Sequence, residues 1–245
     1  MAVFSERKQQ SKAHTYQSED VFKQISTRAA SINMRVNEDK TQLLCISAAK
    51  TAHVNSYINA STKRIEGGSE LKILGFHFGN DPSPALHVEK MKEKFRRRLW
   101  CLRHMKRSGM SESDLLFLYK TIILPVLDFA TVAYHSMINV TQKLQLEHLQ
   151  KRAAKIIFGI DCNYQELLDS EKLEELNTRR ERFFVNFAVK ASNNPRYMDR
   201  WSPLNPDPHY NIRNPKMYKE FKARTERLQN SPLFQLRKRL NKTGN

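Results

Sequence analysis

The hydrophobic pattern of this chain changes period at Asp81-Pro82-Ser83-Pro84, and that one break limits what the chain can fold into. Before it, apolar residues come in short runs separated by turn formers. After it they recur every three to four residues through most of the remaining length. Short bounded runs suit strands, and the longer spacing suits helices packed on one face. The expected fold class is α+β and predominantly α. It comprises a small part with a helix and short antiparallel strands, followed by a helical bundle.

In the first part, residues 18–80, Ser18 is placed to cap a helix bearing Val21, Phe22, Ile25 and Ala29 and ending near Asn33. Gln42–Ser47, Val54–Ile58, Lys63–Glu66 and Leu71–Phe78 read as strands, with Gly67-Gly68 as a turn between the last two. In the second part, residues 85–192, a helix over His87–Lys106 puts Val88, Met91, Phe95, Leu99 and Leu102 on one stripe. Ser111 with Asp114 starts a helix over Leu115–Leu124. Thr141 caps one that runs to Phe158 and stops at Gly159, and Ser170 opens another over Glu171–Lys190. Residues 1–17, polar and basic, read as a disordered leader. Residues 193–245 read as an irregular Pro- and Asn-rich linker and a basic helix interrupted at Ser231-Pro232.

Charge points to a partner. Lys and Arg number 42 against 25 Asp and Glu, a net +17, which favours a polyanion and nucleic acid first. The cations concentrate on the helix from His87: Lys90, Lys92, Lys94, Arg96, Arg97, Arg98, Arg103, Lys106 and Arg107, opposed only by Glu89 and Glu93. Lys151, Arg152, Lys155, Arg179, Arg180 and Arg182 continue the bias. Phosphate contacts ask for charge rather than base-edge geometry, so a basic face opposite an apolar stripe suits a helix that tracks a backbone. The plain alternative is a merely solvated face; the repetition of the bias along the chain favours nucleic acid. Tyr119, Trp100 and Phe183 are expected in the core rather than against bases.

Other classes find less support. Cys45, Cys101 and Cys162 form no C-x-x-C pair and are expected to be reduced and structural. The eight histidines have no ligand spacing, and no phosphate-binding glycine loop or nucleophile elbow occurs. No two aspartates are adjacent and no Asp-x-Asp occurs, so the clustered carboxylates of two-metal chemistry are missing. Leu115–Ile138 is long and apolar, but it contains Lys120, Pro125, Asp128 and His135. It reads as a buried helix pair broken near Pro125 rather than a membrane span. The N-terminus lacks the apolar region of a signal peptide. The expectation is an intracellular chain, nuclear or cytoplasmic, not secreted and without a transmembrane segment, binding neither membrane nor small-molecule substrate.

Several segments together carry a resemblance. Asn37, Lys40 and Thr41 match an "N-x-x-K-[ST]" element, with Asn33 near the place of a usual glycine. Leu71-Lys72-Ile73-Leu74-Gly75-Phe76-His77-Phe78 resembles a "K-Y-L-G-h-x-h" hairpin, with Ile73 in place of Tyr. Leu118-Tyr119-Lys120 through Leu124-Pro125-Val126-Leu127-Asp128-Phe129 is similar to "L-Y-x-x-h-h-x-P-h-h-x-Y". Leu146 to Gly159 is similar to "L-x-x-h-Q-R-R-A-h-R-x-I-x-G", and Leu173 to Arg182 to "L-x-x-L-x-x-R-R". In this order they resemble the C-terminal part of a non-LTR (LINE-type) retrotransposon reverse transcriptase: palm end, primer grip, thumb and following helices. The resemblance covers residues 18–192, more weakly to 242.

It implies that Lys40 is the palm lysine that protonates leaving pyrophosphate, and that Leu74 and Gly75 sit in the hairpin holding the primer end. It also implies that the helix from His87 tracks the template–primer. The family's metal-binding aspartates lie on strands before this region, so the chain is expected to bind template–primer without polymerising. No cofactor is then expected, although the parent enzyme uses Mg2+, and the missing N-terminal polymerase part becomes a possible partner. The other reading is a stand-alone basic helical RNA- or DNA-binding protein.

Overall fold

The computed structural model describes residues 13–47, 56–170, 172–194, 218 and 222–243. The chain is α+β and predominantly α, and it divides into two compact units, Met1–His87 and Val88–Asn245. Residues 1–12 of the expected leader and 195–217 of the expected linker lie outside the described residues.

The first unit starts with helix α1, Ala13–Ala30. It begins five residues before Ser18, inside the expected leader, because no Gly or Pro lies between 13 and 18 to stop propagation. Its Phe22 packs with Ile58 and Ile65, and with half-buried Val36, Leu43 and Ala60. β1, Leu43–Leu44, is shorter than expected and β3, Arg64–Gly68, runs two residues past its expected end; with β2, Tyr57–Asn59, they lie in the order β1-β3-β2, and residues 54 and 55 of the expected second strand lie outside the described residues. β1 pairs parallel with β3, and β2 antiparallel. Glu19 ties α1 to this sheet by accepting from both the backbone and the side-chain nitrogen of Asn59.

Two expectations fail here for local reasons. Gly67-Gly68 is strand, not turn. Gly67 N–H donates to Ser56 O at 2.7 Å, and a Cβ at Gly67 would lie 2.3 Å from Ser56 Oγ, so the glycine serves a close approach. Leu71–Phe78 is not the one strand that its periodicity suggests but a hairpin, as the resemblance implies: β4 Glu70–Ile73 and β5 Phe76–Gly79, with Ile73 opposite Phe76. Leu74 (φ 49°) and Gly75 (φ 87°) form its turn. Two consecutive positive φ values match the twist of a two-residue hairpin loop.

The second unit is helical. α2, Ala85–Arg107, opens at the unit boundary and buries the expected stripe, Val88, Met91, Phe95, Leu99 and Leu102. α3, Glu112–Leu118, is capped by Ser111 as expected. It passes into a π-helical turn, Tyr119–Ile123, and then α4, Pro125–Asp128. Pro125 has no N–H for the ladder and its ring crowds the preceding turn; the helix widens there, and Leu124 N–H reaches Tyr119 O at 2.8 Å. Ala130 (φ 55°) breaks the run before α5, Thr131–Tyr134. The stretch Glu112–Tyr134 is the one helical segment among the described residues long and apolar enough to cross a membrane. Leu115, Tyr119, Ile123 and Leu127 recur along it, all buried in the core.

α6, Val140–Phe158, is capped by Asn139 rather than Thr141, because Asn139 and Gln142 exchange side-chain-to-backbone bonds in a capping box. Ser170 ends the short helix α7, Tyr164–Asp169, instead of opening one. α8, Leu176–Ser192, starts later because Glu147 supplies the acceptor for its first turn: Leu176 N–H donates to Glu147 Oε2 at 3.0 Å. α9, Glu226–Gln229, precedes α10, Pro232–Thr243, which lays Leu236 against Phe184 and Ala188 of α8.

Candidate nucleic-acid interface

The basic helix α2 runs beside α6. Lys92 Nζ donates to Gln145 Oε1 at 2.8 Å, and, fourteen residues on, Lys106 Nζ donates to Ile157 O at 2.8 Å, twelve residues beyond Gln145. Bonds that advance together along both helices mean that the two run parallel. Lys106 also meets the carbonyl end of α6, where the helix dipole favours a cation.

These two bonds fix which faces flank the seam. On α2, Arg96, Trp100, Arg103 and Arg107 follow at steps of four, three and four, one row outward from Lys92 and Lys106. On α6, Gln145, His148, Arg152 and Lys155 follow at steps of three, four and three, starting from the residue that meets Lys92. Every one of these eight side chains is exposed. Among the described residues Arg96, Arg97, Arg103, Arg107, Arg152 and Lys155 have no acidic partner. Glu89, which could neutralise them, is engaged by Lys92, and Glu147 turns inward to Tyr164 and Leu176. The seam is therefore a strip of unneutralised positive charge roughly 16 Å long on α2 at 1.5 Å per residue.

The expected binding residues separate into groups. Arg96, Arg103, Arg107, Arg152 and Lys155 share the seam. Arg97 and Lys90 lie further round α2, and Lys94 falls on the flank away from α6. Arg98 is engaged structurally, donating Nη1 to Ile122 O in the π turn. Lys106 is engaged by Ile157 and, at 3.7 Å, by Glu112. Lys92 is buried against Glu89 and Gln145. Lys151 lies over the Tyr164 ring at 5.1 Å.

Two of the C-terminal arginines are not surface charge. Arg179 grips Asp128 with Nε and Nη2. Arg180 is wholly buried, and none of its guanidinium nitrogens has a hydrogen-bond partner among the described residues. Of the expected core aromatics, Tyr119 is buried and Phe183 half-buried beneath Arg179 and Arg182. Trp100 is 67% exposed, contrary to expectation, because it stands opposite the buried stripe of α2. Cys101 is exposed, and Cys45 and Cys162 are half-buried, so none of the three is a core cysteine.

In the first unit, Asn37, Lys40 and Thr41 do come together in one turn. Asn37 Oδ1 accepts from Asp39 N and Lys40 N, and Thr41 Oγ1 donates to Asn37 O. Glu38 takes the Ser61 and Thr62 amides, and the Thr62 hydroxyl holds its carboxyl below the usual range. Lys63 does the same for Asp39. Lys40 is exposed at the end of this anchored turn. Leu74, at the hairpin tip, is 95% exposed.

The described residues hold no cluster of carboxylates of the kind a two-metal site needs. The sequence has no paired aspartates, and among the described residues no three of His, Cys, Asp and Glu cluster. No protein-family model, curated protein or solved structure matches the chain.

Proposed function

We propose that the helical unit grips the backbone of a nucleic acid along the α2–α6 seam, in the manner of the thumb of a reverse transcriptase. The observation that carries this reading is the strip of exposed cations on two parallel helices, with Glu89 and Glu147 turned to other partners and Glu93 the one exposed carboxylate beside the seam on α2. An anionic backbone laid along it releases condensed counterions, a gain that needs no base-specific contact. The chain's likeness to the non-LTR reverse transcriptases supports the narrower reading as primer grip and thumb. In the first unit, a hairpin tipped by Leu74 and Gly75 occupies the segment where the resemblance puts the primer grip. No polymerisation is proposed for these residues alone, because they lack the carboxylate cluster that activates a primer hydroxyl.

The test is titration of the purified chain against a fluorescent RNA–DNA hybrid over a range of salt. Binding should weaken steeply with salt. Arg96→Ala, Arg103→Ala and Arg152→Ala should each flatten the slope by about 0.9 for every phosphate that is no longer neutralised. Arg98→Ala, which removes a bond to the π turn, should lower stability more than affinity. Absence of binding at low salt, or a slope indifferent to all three seam arginines, overturns the proposal.

A further inference from the structure

Resting on the nucleic-acid reading above, we infer that α2 carries a stacking site for an unpaired base at Trp100, so that this face, besides gripping a backbone, takes single-stranded DNA or RNA through its bases. Trp100 lies between Arg96 and Arg103 in the exposed row of α2, with 67% of its surface open. A tryptophan left that open gives up burial that it could have gained. Its ring is also held in place. His104, one turn further along, lies nearly parallel to it, with centroids 5.6 Å apart and planes 8° apart. The indole therefore presents a fixed flat surface flanked by cations about one helical turn away on either side.

That combination matches the chemistry of a single strand and not of a duplex. In a duplex every base face is already covered by its neighbours, and the groove walls offer phosphate and sugar. Arg96 and Arg103 could hold such a backbone, but the Trp100 ring would meet nothing that stacks. An unpaired nucleotide supplies both parts, phosphate to the arginines and a base face to the indole, and stacking of this kind tolerates any base. The acids on this outer face of α2 are Glu89, which is paired with Lys92, and Glu93.

The experiment uses the full chain carrying Trp201→Phe, so that Trp100 is the only indole. It is titrated with an oligo(dA) of about 12 nucleotides and with a duplex of equal length, read by tryptophan fluorescence and by anisotropy of labelled strands. The single strand should quench Trp100, and Trp100→Ala should weaken single-strand binding roughly tenfold while leaving duplex binding unchanged. Trp100→Phe should restore part of that affinity. Far-UV circular dichroism should be the same for all variants. Equal binding of both forms with no effect of Trp100→Ala, salt slope intact, overturns the stacking site and leaves the seam grip standing. An equal weakening on strand and duplex also overturns it. Failure to bind either form removes the seam grip and the stacking site together.

Discussion

The Tyr119 hydroxyl donates to Gln150 Oε1 at 2.8 Å, with both residues out of contact with water. Gln150 Nε2 in turn donates to Tyr164 Oη and to the Glu174 carbonyl, each at 2.8 Å, so one amide joins the π turn, α6, α7 and the approach to α8. Tyr119→Phe leaves Gln150 Oε1 without a donor and should cost about 1–3 kcal/mol in urea unfolding. Gln150→Leu breaks three bonds and should cost more, while the double variant should cost less than the sum. Strict additivity in that cycle would mean that the two side chains act independently.

The His135–Glu181–Arg239 chain makes stability depend on pH. His135 Nε2 lies 2.9 Å from Glu181 Oε2, and Arg239 Nε donates to Glu181 Oε1 at 2.6 Å. Burial pushes the His135 pKa below 6.5, so folding favours the neutral ring donating from Nε2. Burial also raises Glu181, but the bonds from Arg239 and His135 outweigh it and hold its carboxyl below 4.5. As pH falls below 6.5 the unfolded chain binds the histidine proton first. Stability then drops by at most about 1.4 kcal/mol per pH unit for that one group. Glu181 adds a loss in the same direction below 4.5. Glu147, raised by burial, acts in the opposite sense, so the informative quantity is the difference from His135→Gln. That variant should flatten the stability profile between pH 7 and 5; an unchanged profile would exclude His135 as its source.

Arg180 gives a prediction of unusual sign. A guanidinium at zero exposure, with no well-formed hydrogen bond among the described residues and only the Tyr134 hydroxyl and the Glu147 carboxylate near enough to stabilise it, recovers little of the hydration it loses. Arg180→Met keeps most of the volume and removes the charge, so it should raise the urea midpoint by an amount equivalent to about 1–3 kcal/mol. A clear loss of stability instead would show that Tyr134 and Glu147 compensate the buried charge.

What is legible in the sequence follows from period, and what is not follows from which surfaces meet. The α2 stripe from Val88 to Leu102 is written in its spacing, as is the Ser111 cap. Gly159 also stops α6 as its position suggests, at φ 102°. The seam is not legible, because it depends on Lys92 and Lys106 leaving solvent to reach α6, and a lysine in a basic run carries no mark of that. Charge counting likewise groups Arg180 with surface cations, and hydrophobicity groups Trp100 with the core; tertiary packing reverses both. The start of α8 is hidden for the same reason, since its acceptor, Glu147, lies 29 residues earlier. Leu71–Phe78 looks like one strand by periodicity because a leucine at φ 49° leaves no turn signature.

That leucine is the last test. Leu74 holds a left-handed conformation that costs a residue with a Cβ about 1 kcal/mol, and its 95% exposure returns almost nothing in burial. Asparagine tolerates the same φ through its short polar side chain. Leu74→Asn should therefore raise stability by about 0.5–1 kcal/mol, measured by urea unfolding. If the leucine is retained to touch a primer end, the same variant should weaken binding of the RNA–DNA hybrid. A variant both more stable and equally tight would remove Leu74 from the proposed grip. One that is less stable would show that the turn gains more from the leucine than its backbone geometry implies.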